Sequence, residues 1–158
     1  MRYRFGEILS ELAKKDEKII LLVGDIGYRV FDEFRKNYPK RFINLGICEQ
    51  SLISVASGMA LEGMKPWVYT ITPFLIERPF EQIKLDINQQ KVNVNLVGYA
   101  DYPTLGPTHS ELDAKKLMEL FKNIETFYPK KLDQLKKNIL KMSKINKPCF
   151  LSLKKYKK

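Results

Sequence analysis

Cysteine and histidine are almost absent from this sequence. Its 158 residues include two cysteines, Cys48 and Cys149, and a single histidine, His109. With no C-x-x-C pair, they build neither a disulfide framework nor a zinc site. Long apolar runs are missing too. The longest clean one is Ile19 to Val23, against the roughly 20 residues a bilayer span needs. The opening Met1-Arg2-Tyr3-Arg4-Phe5-Gly6-Glu7 is basic but has no apolar stretch behind it, so no secretory signal is expected. Repeats and low-complexity linkers are lacking, and no internal boundary divides the chain. These absences predict a reduced, cytoplasmic, non-membrane protein of one domain, residues 1–158, long enough to bury a proper core.

The charge is uneven. The net charge is +10, yet residues 114–158 carry 14 lysines and 3 acidic residues, while the first 113 carry 14 basic and 15 acidic ones. All the excess therefore lies in the last 45 residues. A nucleic-acid or membrane patch is one reading of such a run. That region has no arginine, and its aromatics are not interleaved as a stacking platform requires. A solvated lysine-rich helix followed by a flexible basic tail at 154–158 accounts for it, with no nucleic-acid partner.

Alternating patterns follow along the chain. Phe5, Ile8, Leu9, Leu12 and Ala13 share one helical face. Ile19 to Val23 reads as a strand buried on both sides, closed by Gly24-Asp25-Ile26-Gly27. A helix over 30–38 and a short strand over 41–44 come next. A helix over 49–62 ends at Gly63, and a strand covers 66–71. Pro79 suits the first turn of a helix reaching about residue 88. Strands over 92–97, 124–127 and 149–153, with helices over 112–120 and 132–142, complete the pattern. This predicts a doubly wound α/β domain, a mostly parallel sheet of about six strands flanked by helices. Ligands in such sheets bind beyond the carboxyl ends of the strands. That singles out the loops at 24–29, 45–50, 72–78 and 98–110.

The notable polar and aromatic residues lie on those loops. Glu49 stands where strand turns to helix, either as a first-turn carboxylate favoured by the helix dipole or as a buried carboxylate aimed into a cleft. Phe74 and Phe80 flank the next loop and are either core or a rim able to pack a flat heterocycle. His109 follows Gly106-Pro107-Thr108, as a solvated imidazole or one held to move protons. Cys48 reads as a small buried thiol and Trp67 as packing.

Four segments together carry a resemblance. They are Gly46-Ile47-Cys48-Glu49-Gln50; Gly58 with Gly63 and Pro66; Phe74 with Arg78 and Glu81-Gln82-Ile83; and Gly106-Pro107-Thr108-His109. In this order and spacing they resemble the pyrimidine-binding domain of the transketolase family, over about residues 5–153. The resemblance implies thiamine diphosphate as cofactor, with Glu49 hydrogen-bonding a ring nitrogen of its aminopyrimidine. It implies Phe74, Phe80 and Arg78 around that ring, and His109 near the thiazolium and substrate. Ile76-Glu77-Arg78 stands where the family often has a third aromatic. Asp101-Tyr102-Pro103-Thr104-Leu105 replaces a longer acidic segment, so the substrate-facing loop is remodelled.

Thiamine-diphosphate enzymes hold the diphosphate and its Mg or Ca ion in a separate domain marked by Gly-Asp-Gly and a later Asn. Gly24-Asp25-Ile26-Gly27 only echoes that motif, and Asn44 comes too early, so no metal ligand is expected in this chain. The resemblance therefore implies the smaller subunit of a split enzyme. It would join a larger diphosphate-binding subunit in a heterotetramer that transfers a two-carbon ketol unit to or from a sugar or sugar phosphate. The alternatives are a subunit of a deoxyxylulose-phosphate-synthase-like or 2-oxo-acid dehydrogenase enzyme, or a non-catalytic interaction module.

Overall fold

Strand β1 (Ile19–Val23) is buried at every residue because it packs on two sides at once. Ile19, Leu21 and Val23 face one core, while Ile20 and Leu22 face the other. The computed structural model describes residues 1–99 and 102–153. The basic tail expected at 154–158, and Asp101 of the remodelled loop, fall outside them.

Around β1 lie α1 (Arg2–Lys15), α2 (Asp32–Asn37), β2 (Phe42–Asn44), α3 (Glu49–Leu61), β3 (Lys65–Ile71) and α4 (Thr72–Ile76). Then come α5 (Phe80–Gln82), which runs into a π-helical stretch (Ile83–Gln89), β4 (Asn95–Tyr99), α6 (Ala114–Glu119), β5 (Glu125–Phe127), α7 (Leu132–Met142) and β6 (Cys149–Leu153). The strands form one sheet in the order β2-β1-β3-β4-β6-β5. Every pairing is parallel. The doubly wound, six-stranded sheet expected from the sequence is thus present, and among the described residues it is wholly parallel.

Handedness decides which helix covers which face. Right-handed crossovers put steps in opposite directions along a sheet on opposite faces. The steps from β1 to β2 and from β5 to β6 run one way, and their helices α2 and α7 share a core with α1 through Phe34, Leu135, Ile139 and Phe5. The steps through α3, α4 and α6 run the other way and share the second core through Leu52, Leu75 and Met118. Direction reverses between β1 and β3, so the loops after β1, β2, β3 and β4 gather at one end beside the switch point.

Three elements differ from the sequence reading. Thr72–Ile76, expected as loop, is the short helix α4, with proline in its first turn, where the missing N–H costs nothing. The helix expected through residue 88 becomes π-helical from Ile83. There the Asp86 carbonyl accepts from Ser57 Oγ at 2.7 Å, while Ser54 Oγ donates to the Asp86 carboxylate at 2.6 Å. Strand β4 begins at Asn95 rather than at residue 92. Val92 and Val94 are buried in the second core ahead of the strand, which is why they read as part of it.

Gly98 lets α4 start tight against β4. A Cβ there meets Thr72 Oγ1 at 2.7 Å and the Thr72 Cα at 3.3 Å. We expect Gly98→Ala to destabilise the chain by about 1–3 kcal/mol, the usual scale of overpacking. Urea titration of variant and parent checks this, and an unchanged midpoint contradicts the packing account.

Candidate active site at the carboxyl ends of the strands

Asn44, the last residue of β2, ties two of the gathered loops together. Its Oδ1 accepts from the backbone N–H groups of Asp25 and Gly46, both at 3.0 Å, and its Nδ2 donates to Asp25 Oδ1 at 3.1 Å. Asp25 and Gly46 both take positive φ, 52° and 80°, as a sharp exit from a strand requires. Cys48 then stands at the residue before α3, its side chain making no capping bond to the helix, while its Sγ–H donates to the Leu45 carbonyl at 2.9 Å. The thiol is thus engaged in the turn, as a structural cysteine would be.

Glu49 comes next, as the first residue of α3, and is 3 % exposed. Two features make a buried carboxylate tenable there. The N-terminus of a 13-residue helix carries partial positive charge. Arg78 supplies the counter-charge, donating from Nη1 to Glu49 Oε2 at 3.1 Å. The other oxygen, Oε1, is buried with no hydrogen-bond partner among the described residues. An unmatched buried acceptor is costly in a structural glutamate, and a functional site is where such a cost is retained.

Arg78 also lies over Phe74. Its guanidinium carbon sits 3.5 Å from the centre of the Phe74 ring, a cation–π contact well inside the usual limit of about 6 Å. Phe74, on α4, is nearly buried, and its ring meets that of His109 edge to face at 4.8 Å and 68°. His109 is half-buried, with Nδ1 3.0 Å from Thr108 Oγ1. Its backbone is tied on both sides: its N–H donates to the Gly106 carbonyl at 3.1 Å, and its carbonyl accepts from Tyr102 N–H at 2.8 Å. Gly106 takes φ 97°, so the Gly-Pro step sets the direction of the loop.

Glu49, Arg78, Phe74 and His109 therefore form one continuous set, drawn from the loops after β2, β3 and β4. Phe80 is placed differently. Its ring packs on Phe121 at 5.0 Å and against the second core, two residues beyond Arg78. Two residues to which the sequence reading gave no role in the site belong to its architecture. Asn44 joins the first two loops. Glu77 accepts from the Leu112 backbone N–H at 2.9 Å, joining α4 to the loop that carries His109. An Asn-x-Gly step at a strand end was the available signal for the first; nothing in the sequence marks the second.

The pairing of Glu49 with Arg78 predicts a stability effect that needs no ligand. Arg78→Met leaves the carboxylate buried without its counter-charge and should cost about 1–3 kcal/mol. This is below the cost for a fully dry pair because the arginine side chain is 35 % exposed. Adding Glu49→Gln to Arg78→Met should recover most of that loss. Thermal unfolding of the single and double variants checks both, and a double variant no more stable than Arg78→Met contradicts the pairing.

Comparison with known proteins agrees with this fold. The family model for the transketolase pyrimidine-binding domain matches residues 1–157. One of the subunits of the apulose-4-phosphate transketolase of Actinobacillus succinogenes is 41% identical over 99 residues, 61% of this chain and 32% of that protein. A 1-deoxy-D-xylulose-5-phosphate synthase of Clostridium perfringens is 32% identical over 149 residues, 91% of this chain and 24% of that protein. Among solved structures, one described as "Split gene transketolase, inactive beta4 tetramer" superposes with a TM-score of 0.87 at 30% identity, covering 97% of this chain and 50% of that one. The transketolase of Campylobacter jejuni, at 22% identity and a TM-score of 0.85, shares the fold. The chain spans half or less of the length of these proteins. By a family match that runs almost end to end, the chain belongs to the transketolase pyrimidine-binding domain family.

Proposed function

We propose that this chain is the pyrimidine-binding subunit of a two-component, thiamine-diphosphate-dependent, transketolase-like enzyme of the cytoplasm, moving a two-carbon ketol unit between sugars or sugar phosphates. The observation that carries the reading is Oε1 of Glu49, a buried acceptor without a donor among the described residues, on a carboxylate whose other oxygen pairs with the guanidinium lying over Phe74. An unpartnered acceptor and an aromatic ring suit a flat, polar ring such as an aminopyrimidine. Thiamine diphosphate, when bound, supplies the carbanion chemistry.

The chain's own residues hold and orient. Glu49 offers Oε1 to a ring nitrogen and shares a proton with it; until a ring displaces its guanidinium from Phe74, Arg78 pairs with Oε2 and holds the carboxylate in place. Phe74 gives a flat wall. In this reading His109, whose ring meets that of Phe74 edge to face, exchanges a proton with a substrate oxygen. Phe80 belongs to the reading as support, its ring braced by Phe121 at the start of α5.

The partner in this reading is a larger subunit that brings the diphosphate site and its Mg or Ca ion, with two copies of each subunit in the assembly. Large apolar side chains stand exposed on the loops at this end of the sheet: Tyr28, Ile47, Leu105 and Leu112. Exposed apolar side chains on several loops of one end suit a protein surface that is covered in the working assembly. The relatives named as a transketolase subunit and as a split-gene transketolase support the same division. No helix among the described residues is long and apolar enough to cross a membrane.

A second reading, a deoxyxylulose-type synthase subunit, is favoured by relatives of that name. The donor distinguishes them. With the diphosphate-binding subunit present, the transketolase-like reading expects release of CO2 from hydroxypyruvate with two-carbon transfer to an aldose, and the synthase reading expects consumption of pyruvate. Glu49→Ala should lower the rate by about 10²–10⁴, the scale of general acid–base participation. Tight thiamine diphosphate binding and full turnover by this chain alone refute the two-component arrangement, and an unaffected Glu49→Ala removes the carboxylate from the mechanism.

A further inference from the structure

The loop that presents His109 has little regular structure of its own. Residues 107–109 make one 3-10 turn, and α6 does not begin until Ala114. Between them, Ser110 to Asp113 form no element. Asp113 caps α6 by accepting from Lys116 N–H at 3.1 Å, and Ser110 Oγ donates to the Gly106 carbonyl at 3.3 Å. These contacts lie within the loop and its own helix. Glu77 reaches across from another element and takes the Leu112 N–H at 2.9 Å. The Leu112 side chain is exposed, so this residue is held by its backbone and not by burial.

Glu77 lies one helical turn beyond Phe74, at the end of α4, where its own N–H donates to the Pro73 carbonyl at 3.0 Å. The rigid piece that carries the Phe74 ring therefore also grips the segment that carries His109. The contact of those two rings at 4.8 Å is fixed from both ends. Arg78, the next residue, faces Glu49. Neighbouring residues of opposite charge thus serve two different jobs, one toward the buried carboxylate and one toward the loop.

We propose that Glu77 is a positioning residue: by holding the Leu112 amide, it sets His109 against Phe74 and toward the substrate side of the site. The proposal rests on the function given above only for its kinetic consequence; the structural latch stands without it. What Leu112 N–H needs is an acceptor oxygen, which a glutamine also offers and an alanine does not.

The experiment compares Glu77→Ala and Glu77→Gln in the full chain, with two readouts. His109 is the single histidine, so its imidazole resonances report the loop without overlap. We expect Glu77→Ala to shift them and to speed exchange of the Leu112 amide by about tenfold or more, while Glu77→Gln keeps both near the parent. In the complex with the diphosphate-binding subunit, with hydroxypyruvate as donor, Glu77→Ala should lower kcat/KM by about tenfold or more, the scale of a small misplacement of a reacting group. Glu77→Gln should restore it. Unchanged histidine resonances and amide exchange in Glu77→Ala overturn the latch, whatever the turnover. A loop freed in Glu77→Ala with turnover unchanged overturns the positioning role, while Glu49→Ala in the same assay separately tests the function. A glutamine variant as impaired as the alanine one overturns the role of the acceptor oxygen.

Discussion

A carboxylate almost wholly removed from water, at the first turn of α3, is the constraint around which this end of the molecule is arranged. Burying such a charge unpaired costs several kcal/mol. The chain offsets this with the N-terminus of α3 and with a guanidinium that arrives from the loop beyond α4. For that guanidinium to arrive, α4 must lie close against β4, which the missing side chain of Gly98 permits. For the carboxylate to face inward, the exit from β2 must turn sharply, which Asn44 and the positive φ at Gly46 provide. Local backbone chemistry at two separate loops thus converges on a single ion pair.

The parallel sheet makes that convergence available. With every strand among the described residues running the same way, the loops after β1 to β4 share one end, and the reversal between β1 and β3 makes the switch point at which sheets of this kind bind ligands. The opposite character of the lysine-rich portion fits the same architecture. Helix α7 buries Leu135, Ile139 and Met142 and turns its lysines outward. Glu125, on the edge strand, accepts from Lys141 and Lys147 at 2.6 and 2.7 Å, and these hydrogen bonds hold its carboxyl below the usual range. Part of the positive excess is therefore absorbed into an intramolecular network at the sheet edge.

Much of this was legible in the sequence, and the reasons are specific. Ile19 to Val23, Leu132 to Met142 and Cys149 to Leu153 coincide with their elements because burial on two faces or one stripe leaves an unmistakable period. Glu49, Phe74 and His109 stood out because a parallel sheet places the residues just past each strand at the ligand end. Other features left no such trace. The Glu49–Arg78 pair joins residues 29 apart in sequence. Pro73 reads equally as a loop or as a helix start. Phe74 and Phe80 look alike as flanking aromatics, yet one meets His109 and the other meets Phe121. The hydrogen bond of Glu77 to Leu112 spans 35 residues and engages a backbone group, which no side-chain pattern reveals.

The position of Arg78 has a thermodynamic corollary. A guanidinium is planar, cationic and rich in N–H donors, and here it rests on the Phe74 ring while hydrogen-bonding Glu49. Any flat molecule that settles on that same aromatic face must first displace it. Admission is then an exchange of one planar donor for another, and the incoming ring is favoured only by the margin between the two. Affinity measured at this face is a difference, and the resident side chain sets its zero.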